Sequence, residues 1–247
     1  IMSRMCQTPW STPRNRADII GLVKYCTEHK IPMYVYGGGS SVTRGVEPVC
    51  GGITLDMRKN FNKVIRFSEH NQTITVEAGM SGPQLEEVLN NAPEKLHAKG
   101  RYTCGHFHSP LNTPPSAAWT VTRGAGQNSS YYGKIEDIVI SQEYVTPVGI
   151  IKSDECPRNA TGPSIDQIMM GSEGTFGILT HVTLRVFKYM PENRFRFSYV
   201  FHQLGRRRHR RPRDHAGRVR LPIRVPCARR GGNGDRLPPL RRGGYAY

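Results

Sequence analysis

Apolar residues at helical spacing occur in three segments of the chain. Over residues 17–29 they recur every three or four positions, with Asp18 near the start, which predicts a helix. Residues 81–92 predict a second helix, with Ser81 as its N-cap and Pro83 in its first turn. A shorter third helix is predicted around residues 165–170.

Apolar and alternating runs predict strands around these helices. Single strands are predicted over residues 31–36, 51–57, 135–147 and 177–187. Residues 62–79 predict a hairpin that turns near Glu69, His70 and Asn71. The first helix is followed by several strands before the next helix begins. This order argues for an α+β fold rather than a doubly wound parallel sheet.

Three clusters of glycine interrupt this pattern, and they are candidates for binding a ligand. Their sequences are YGGGSSV (36–42), TRGAGQNSSYYG (122–133) and GSEGTFGIL (171–179). Consecutive glycine and serine residues after a strand let backbone N–H groups point together at phosphate oxygens. Three such loops could enclose a dinucleotide, although ordinary tight turns would give the same composition. No G-x-G-x-x-G or Walker sequence is present.

The chain also resembles a known family over residues 10–202. The segments that carry the resemblance are IPMYVYGGGSSVTRGV, GGITLDM, TVEAGMSGPQLEEVL, VTRGAGQNSSYYGKIEDIVISQEYVTPVG and ATGPSIDQIMMGSEGTFGILTHVTLRV. They are similar to the FAD-binding domain of vanillyl-alcohol oxidase (PCMH) type flavoproteins. Within that family they most resemble the branch of alkyldihydroxyacetonephosphate synthase and its bacterial oxidase relatives, followed by D-lactate and glycolate dehydrogenases.

The resemblance implies a two-lobed α+β fold. Residues 10–80 would form a small lobe that carries the pyrophosphate loop, and residues 81–196 would form a larger lobe. A substrate-cap domain would begin near Phe197, so residues 197–247 would hold only its start followed by a disordered tail. The residues that select the substrate and act as acid or base would lie in the missing cap, so no catalytic residue is predicted.

The resemblance further implies which residues contact FAD. The pyrophosphate loop would comprise Gly37, Gly38, Gly39, Ser40 and Ser41. The segment along the flavin would comprise Thr122, Arg123, Gly124 and Ala125. The adenosine and pyrophosphate side would comprise Glu173, Gly174, Thr175, Phe176, Gly177, Ile178 and Leu179. An element containing Arg158, Thr161 and Gly162 either touches the cofactor or shapes its loop.

Histidine positions bear on how the flavin would be held. Some family members attach flavin covalently through a histidine in the first loop, but residues 36–42 contain none. The resemblance therefore implies a non-covalent FAD. His106 is predicted to be structural rather than a ligand.

Residues 108–119 depart from the family, where the corresponding segment reads PQSFEYSTVGGW. Here Pro114-Pro115 removes two backbone donors, and Ala117 and Ala118 replace two glycines, so weaker cofactor binding is expected. Codons for FHSPLNTPPSAA can be chosen so that a one-base shift restores PQSFEYSTVGG. We therefore hypothesise two compensating frame shifts around this segment, and a further shift in the tail at 205–247. Resequencing the gene would test both.

The net charge of +16 is unevenly distributed along the chain. Residues 205–247 contain 14 arginines and two aspartates, so the rest of the chain carries only about +4. These arginines are not interleaved with aromatic residues and follow no helical face, so we expect no nucleic-acid partner. No run of 18 apolar residues occurs, which argues against a membrane-spanning helix.

Six scattered cysteines without a C-x-x-C pair argue against zinc or redox centres, so no metal is expected. Unpaired thiols and the absence of a secretory signal profile favour the cytoplasm. The Ile at position 1 indicates a piece of a longer chain.

The function expected from the resemblance is that of an FAD-binding domain in a flavin-dependent oxidoreductase. Its small-molecule substrate would be a 2-hydroxy acid or a similar alcohol. Two alternatives remain open. One is an alkylglycerone-phosphate synthase-like flavoenzyme that exchanges acyl for alkyl, and the other is a non-catalytic, frameshifted fragment. The sequence leaves the oligomeric state undetermined.

Overall fold

The computed structural model describes residues 9–39, 44–107 and 116–193, apart from the side chains of residues 116–118. The predictions for Ser40, Ser41, residues 108–115 and the tail from residue 197 lie outside these ranges. No helix in the described ranges has both the length and the apolar character needed to cross a bilayer.

The first part of the chain forms a small parallel sheet with one helix. Its elements are β1 (Trp10–Ser11), α1 (Arg16–Glu28), β2 (Met33–Tyr36) and β3 (Ile53–Asp56). The strand order is β1-β3-β2, with Tyr36 of β2 beside Asp56 of β3. The N-cap of α1 is Asn15, whose side chain accepts a hydrogen bond from the Asp18 amide at 3.0 Å. This cap explains why the helix begins just before the predicted start.

The rest of the chain builds a larger antiparallel sheet covered by helices. Its elements are β4 (Val64–Ser68), β5 (Thr73–Glu77), α2 (Gly82–Asn90), α3 (Ala92–Lys95), β6 (Tyr102–Thr103), α4 (Ser116–Val121), α5 (Ser129–Tyr132), α6 (Ile135–Ile138), β7 (Val139–Thr146), β8 (Gly149–Lys152), α7 (Ile165–Met169), β9 (Ile178–Arg185) and β10 (Phe187–Lys188). A 3₁₀ turn follows at Pro191–Asn193. The five-stranded order is β4-β5-β9-β7-β8, and β6 pairs with β10. The predicted α+β class is confirmed.

Helix α2 begins where its sequence predicts. Ser81 and Gln84 form a capping box, in which the Ser81 amide donates to Gln84 Oε1 at 3.0 Å and the Gln84 amide donates to Ser81 Oγ at 3.4 Å. Pro83 occupies the first turn, where its missing N–H leaves no hydrogen bond unmade.

Two features differ from the sequence-based expectations. Residues 135–138, predicted as the start of a strand, form the helical turn α6, because Ile135 and Ile138 both bury their side chains at a three-residue spacing. The hairpin of β4 and β5 pairs with β9, so the predicted lobe boundary at residue 80 divides one continuous sheet. The change from the parallel to the antiparallel sheet instead falls between Asp56 and Val64.

Two hydrophobic cores hold the molecule together. The sheet core lies between the five-stranded sheet and helices α2 and α6, and its members include Ile74, Leu85, Leu89 and Leu184. The junction core joins the parallel sheet and α1 to the antiparallel sheet. Its members are Ile19, Val23, Leu55, Met57, Phe61, Ala78, Tyr144, Val145, Met169, Ile178 and Leu179.

Candidate functional site

The first glycine segment, residues 37–39, follows the carboxyl end of β2. Gly39 has a φ of +67°, a backbone conformation that L side chains rarely adopt. A Cβ at this position would lie 2.4 Å from the Tyr36 hydroxyl oxygen, so the loop passes directly over the side chain of Tyr36. Both observations favour glycine at position 39.

The second segment, residues 122–125, follows the end of α4. The Gly124 amide donates to the Trp119 carbonyl at 2.9 Å, and Arg123 has a φ of +54°. The Arg123 guanidinium is engaged by the protein, because it lies 3.4 Å from Glu136 Oε2 and donates to the carbonyl and side-chain oxygens of Gln167. Thr122 and Ala125 are exposed.

The third segment, residues 171–177, connects α7 to β9. Glu173 has a φ of +49°, and the Thr175 amide donates to the Ser172 carbonyl at 2.9 Å, which closes a tight turn. A Cβ on Gly177 would lie 2.7 Å from the Val145 carbonyl oxygen. Phe176 is 52% exposed, although it is a large apolar side chain.

The fold brings these three segments together, and we call them the glycine cradle (residues 37–39, 122–125 and 171–177). The Gly171 amide donates to the Thr120 carbonyl at 3.3 Å, and the Glu173 amide donates to the Val121 carbonyl at 3.0 Å. A Cβ on Gly174 would lie 3.5 Å from the Val35 side chain, just before the first segment. Loops that are distant in sequence therefore line one region, as the ligand hypothesis requires.

Other predicted contact residues lie in different settings. Ile178 and Leu179 are buried in the junction core, paired with Val145 and Tyr144 of β7. Arg158 is exposed and lies 3.6 Å from Asp137. Thr161 and Gly162 are also exposed. Whether any of these residues touches the cofactor stays a prediction.

His106 lies beside the cradle in a buried position. It is 2% exposed, and its ring centroid lies 4.7 Å from that of Trp119. Its Nδ1 would be 3.2 Å from a Cβ on Gly126, which follows the second segment. This packing between Trp119 and the glycine loop accords with the structural role expected for His106.

Sequence reasoning missed an aromatic and charged cluster beneath the first segment. Trp10 meets the Tyr36 ring edge-on at a centroid distance of 4.9 Å, and the Arg58 guanidinium lies 4.8 Å from the centroid of that ring. Arg58 also donates to both oxygens of Asp56 at 3.0 and 2.8 Å, and this pairing lowers the pKa of Asp56. The partners lie on three strands or just beyond them, so no local pattern indicated the cluster.

A second unpredicted feature ties helix α1 to the antiparallel sheet. Glu143 of β7 is 7% exposed, and both of its oxygens accept hydrogen bonds at 3.2 Å from Nη1 of Arg16, at the start of α1. Thr180 Oγ1 donates to Glu143 at 2.9 Å, and His181 Nδ1 lies 3.0 Å away. Burial alone would raise the pKa of Glu143, but these three partners outweigh it and lower the pKa.

Comparison with known proteins adds the family. A sequence model described as an FAD binding domain matches residues 11–154, more than half of the chain. An alkyldihydroxyacetonephosphate synthase from Caenorhabditis elegans is 33% identical over 76% of this chain and 31% of its own length. A mitochondrial D-lactate dehydrogenase [cytochrome] from Arabidopsis thaliana is 30% identical over 71% of this chain and 30% of its own length.

Solved structures agree with these sequence relatives. A structure of alkyldihydroxyacetonephosphate synthase superposes with a TM-score of 0.65 and 29% identity, over 75% of this chain and 33% of that one. The chain thus spans about a third of the length of the relatives it matches. On these grounds the chain belongs to the FAD binding domain family, and its cofactor is FAD.

Proposed function

We propose that the glycine cradle holds FAD without a covalent bond. The protein would use that cofactor as an oxidoreductase acting on a 2-hydroxy acid or a similar alcohol. The observation that carries the site is the convergence of three segments far apart in sequence. Hydrogen bonds from Gly171 and Glu173 link the third segment to the start of the second, and Gly174 approaches Val35 just before the first. Left-handed backbone at Arg123 and Glu173 supports it, since such conformations often occur at binding sites.

The residues of the cradle fit FAD chemically. Ser172 Oγ is buried and has no hydrogen-bond partner among the described residues, so its hydroxyl could donate a hydrogen bond to a ligand oxygen. A side chain at Gly39 or Gly177 would collide with neighbouring protein atoms, so both positions keep a bare backbone. Bare amides and a neutral hydroxyl suit a pyrophosphate, which needs donors and tolerates few acceptors.

The first and third segments of the cradle have separate roles in this proposal. Residues 37–39 would donate amides to the pyrophosphate, and the exposed carboxylate of Glu173 would accept hydrogen bonds from hydroxyl groups on the adenosine side. The exposed ring of Phe176 would shield the cofactor from water. When bound, FAD supplies the redox chemistry, and the protein's part is binding and orientation.

Two observations support the non-covalent linkage and the compartment. Residues 36–42 contain no histidine to which a flavin could attach. Cys26, Cys50, Cys104 and Cys156 are all free thiols, which suits a reducing compartment, so we propose that the protein works in the cytoplasm.

A second candidate function is acyl-for-alkyl exchange of the alkylglycerone-phosphate synthase type. It is favoured by the 33% identity to the C. elegans synthase, which covers 76% of this chain. The two candidates use the same FAD site and differ in the substrate and in the reaction.

Cofactor binding is tested by titrating the purified chain with FAD and following visible absorbance and flavin fluorescence after gel filtration. We expect a bound flavin that acid precipitation releases into the supernatant. Gly177→Ala should weaken binding by at least about tenfold, because the new Cβ meets Val145. The control Gly21→Ala places its Cβ in open space on α1 and should leave affinity unchanged. Flavin retained in the acid pellet, or no binding by a folded chain, would contradict the proposal.

The reaction is tested on the loaded protein without oxygen. Bleaching of the flavin by D-lactate supports oxidation of a 2-hydroxy acid. Conversion of an acylated dihydroxyacetone phosphate and a fatty alcohol, with the flavin band retained, supports the exchange reaction. If neither occurs, this chain carries out neither reaction by itself.

A further inference from the structure

We infer that Tyr36 is a positioning residue for FAD: it fixes the conformation of the Gly37–Gly39 loop by direct contact with Gly39. The inference rests on the proposed function, since it assigns to the cradle a residue that does not itself need to touch the cofactor.

Gly39 lies against the side chain of Tyr36, the last residue of β2, three positions earlier in the chain. A Cβ on Gly39 would lie 2.4 Å from the Tyr36 hydroxyl oxygen, 2.9 Å from Cζ and 3.1 Å from Cε2. The loop therefore folds back over the ring of the residue from which it leaves β2. A carbon atom can approach that closely only if one of the two groups moves.

Arg58 and Trp10 hold the Tyr36 ring in place. Asp56 lies beside Tyr36 in the parallel sheet, and it binds Arg58 through two hydrogen bonds of 3.0 and 2.8 Å. The guanidinium so fixed lies 4.8 Å from the Tyr36 ring centroid, a cation–π distance. Trp10 contacts the ring edge-on at 4.9 Å.

The backbone of this turn is anchored as well. The Met57 amide donates to the Tyr36 carbonyl at 3.2 Å, which fixes the end of β2 against the chain that leaves β3. With backbone and ring both held, the remaining freedom of the loop lies at its glycines. Contact with the ring then selects the left-handed conformation of Gly39, and this orients the amides of residues 37–39.

Glycine is needed at position 39 for two separable reasons. One is the φ of +67°, which strains any L side chain by itself, and the other is the collision with the Tyr36 ring. Gly51 provides the matched comparison, because its φ is +71° and a Cβ there would meet nothing within 4 Å. The collision is specific to Gly39, so its effect should disappear when the ring is removed.

A double-mutant cycle on FAD affinity separates the two reasons. We expect Gly39→Ala to weaken binding about 100-fold in the natural chain and about tenfold or less in a Tyr36→Ala background. Tyr36→Ala alone should weaken binding about tenfold, whereas Tyr36→Phe keeps the ring between Trp10 and Arg58 and should stay within about threefold. Gly51→Ala should leave affinity unchanged.

Thermal unfolding of each variant without FAD shows whether it folds. Equal penalties for Gly39→Ala in both backgrounds would overturn the inference and leave the proposed FAD site intact. A Tyr36→Ala variant that binds FAD as tightly as the natural chain would overturn it too, since the loop would then keep its conformation without the ring. If the natural chain binds no FAD, both the proposed function and this inference fail.

Discussion

The sheet core and the junction core differ in what they support. The sheet core is built within one sheet and the helices that cover it, and includes Leu85 and Leu89 of α2. The junction core combines Ile19 of α1 and Leu55 of β3 with Met169 and Ile178 from the opposite end of the described chain. The sheet core stabilises one sheet and its helices, whereas the junction core fixes the position of one sheet relative to the other.

All three segments of the glycine cradle are attached to the junction core. Val35 packs against this core just before residues 37–39, and Val121 packs against it just before residues 122–125. The third segment runs from Met169 to Ile178, which are both members of the core. A change in the junction core should therefore move the cradle. Trp119 and Met170 of the sheet core also border the cradle, but a sheet-core change at Leu89, near the C-terminal end of α2, should alter stability alone.

Matched truncations in the two cores give the largest expected effect. Leu89→Ala in α2 and Ile19→Ala in α1 each remove a fully buried helical side chain. Each should lower the free energy of unfolding by about 2–5 kcal/mol, because a cavity remains. Only Ile19→Ala should also reduce the rise in melting temperature that FAD produces, since ligand stabilisation falls as affinity falls. Calorimetry with and without FAD measures both quantities.

The proposed difference between the two cores is wrong if Leu89→Ala and Ile19→Ala lose the same share of the FAD-induced rise in melting temperature. Ile20, next to Ile19 and only partly buried against the junction core, offers a milder control. Ile20→Ala should destabilise the protein less and leave most of the FAD-induced rise in place.

A change at Glu143, the buried carboxylate that binds Arg16, should give the second-largest effect on the free energy of unfolding. Glu143→Gln keeps the shape but removes the charge that accepts from Arg16, and should cost about 1.5–3 kcal/mol at neutral pH. The folded-state pKa of Glu143 is lowered, so its contribution is present above the unfolded value of about 4.3 and is lost as pH falls through the folded pKa. Denaturant unfolding across this pH range should show the difference between natural chain and variant shrinking with acidity.

Glu87→Gln is the control for this measurement. Glu87 also has a lowered pKa, owing to Lys95, but the pair is exposed and lies on α2 and α3, away from the junction. It should change stability little at any pH. If Glu143→Gln and the natural chain differ by the same free energy of unfolding from neutral to acid pH, then the shape of the side chain matters at this position and its charge does not.

The sequence predicted those parts of the molecule that depend on neighbouring residues. The N-cap at Ser81 and the hairpin over residues 62–79 are local, and both predictions were confirmed. The stretch at Ile135–Ile138 was wrongly predicted as strand, because a short apolar run is compatible with either structure.

Local sequence patterns did not predict the contacts between distant segments. The glycine clusters could be named, but their meeting depends on hydrogen bonds such as that from Glu173 to Val121. The pair of Arg16 and Glu143 is separated by 127 residues, and Trp10 reaches Tyr36 only through the order of the parallel strands. Geometry of this kind arises from tertiary packing, for which the sequence carries no local signal.

The smallest effect is expected at the sheet-core side, at the start of α2. Ser81→Ala removes the oxygen that caps Gln84 and should cost about 1 kcal/mol. Ser81→Asp keeps an acceptor at the positive end of the helix and should retain most of that stability. Because α2 packs on the sheet core, both variants should keep the full FAD-induced rise in melting temperature. If Ser81→Ala lost FAD affinity while Ser81→Asp kept it, the sheet core would also position the cradle. The proposal that this role belongs to the junction core would then be wrong.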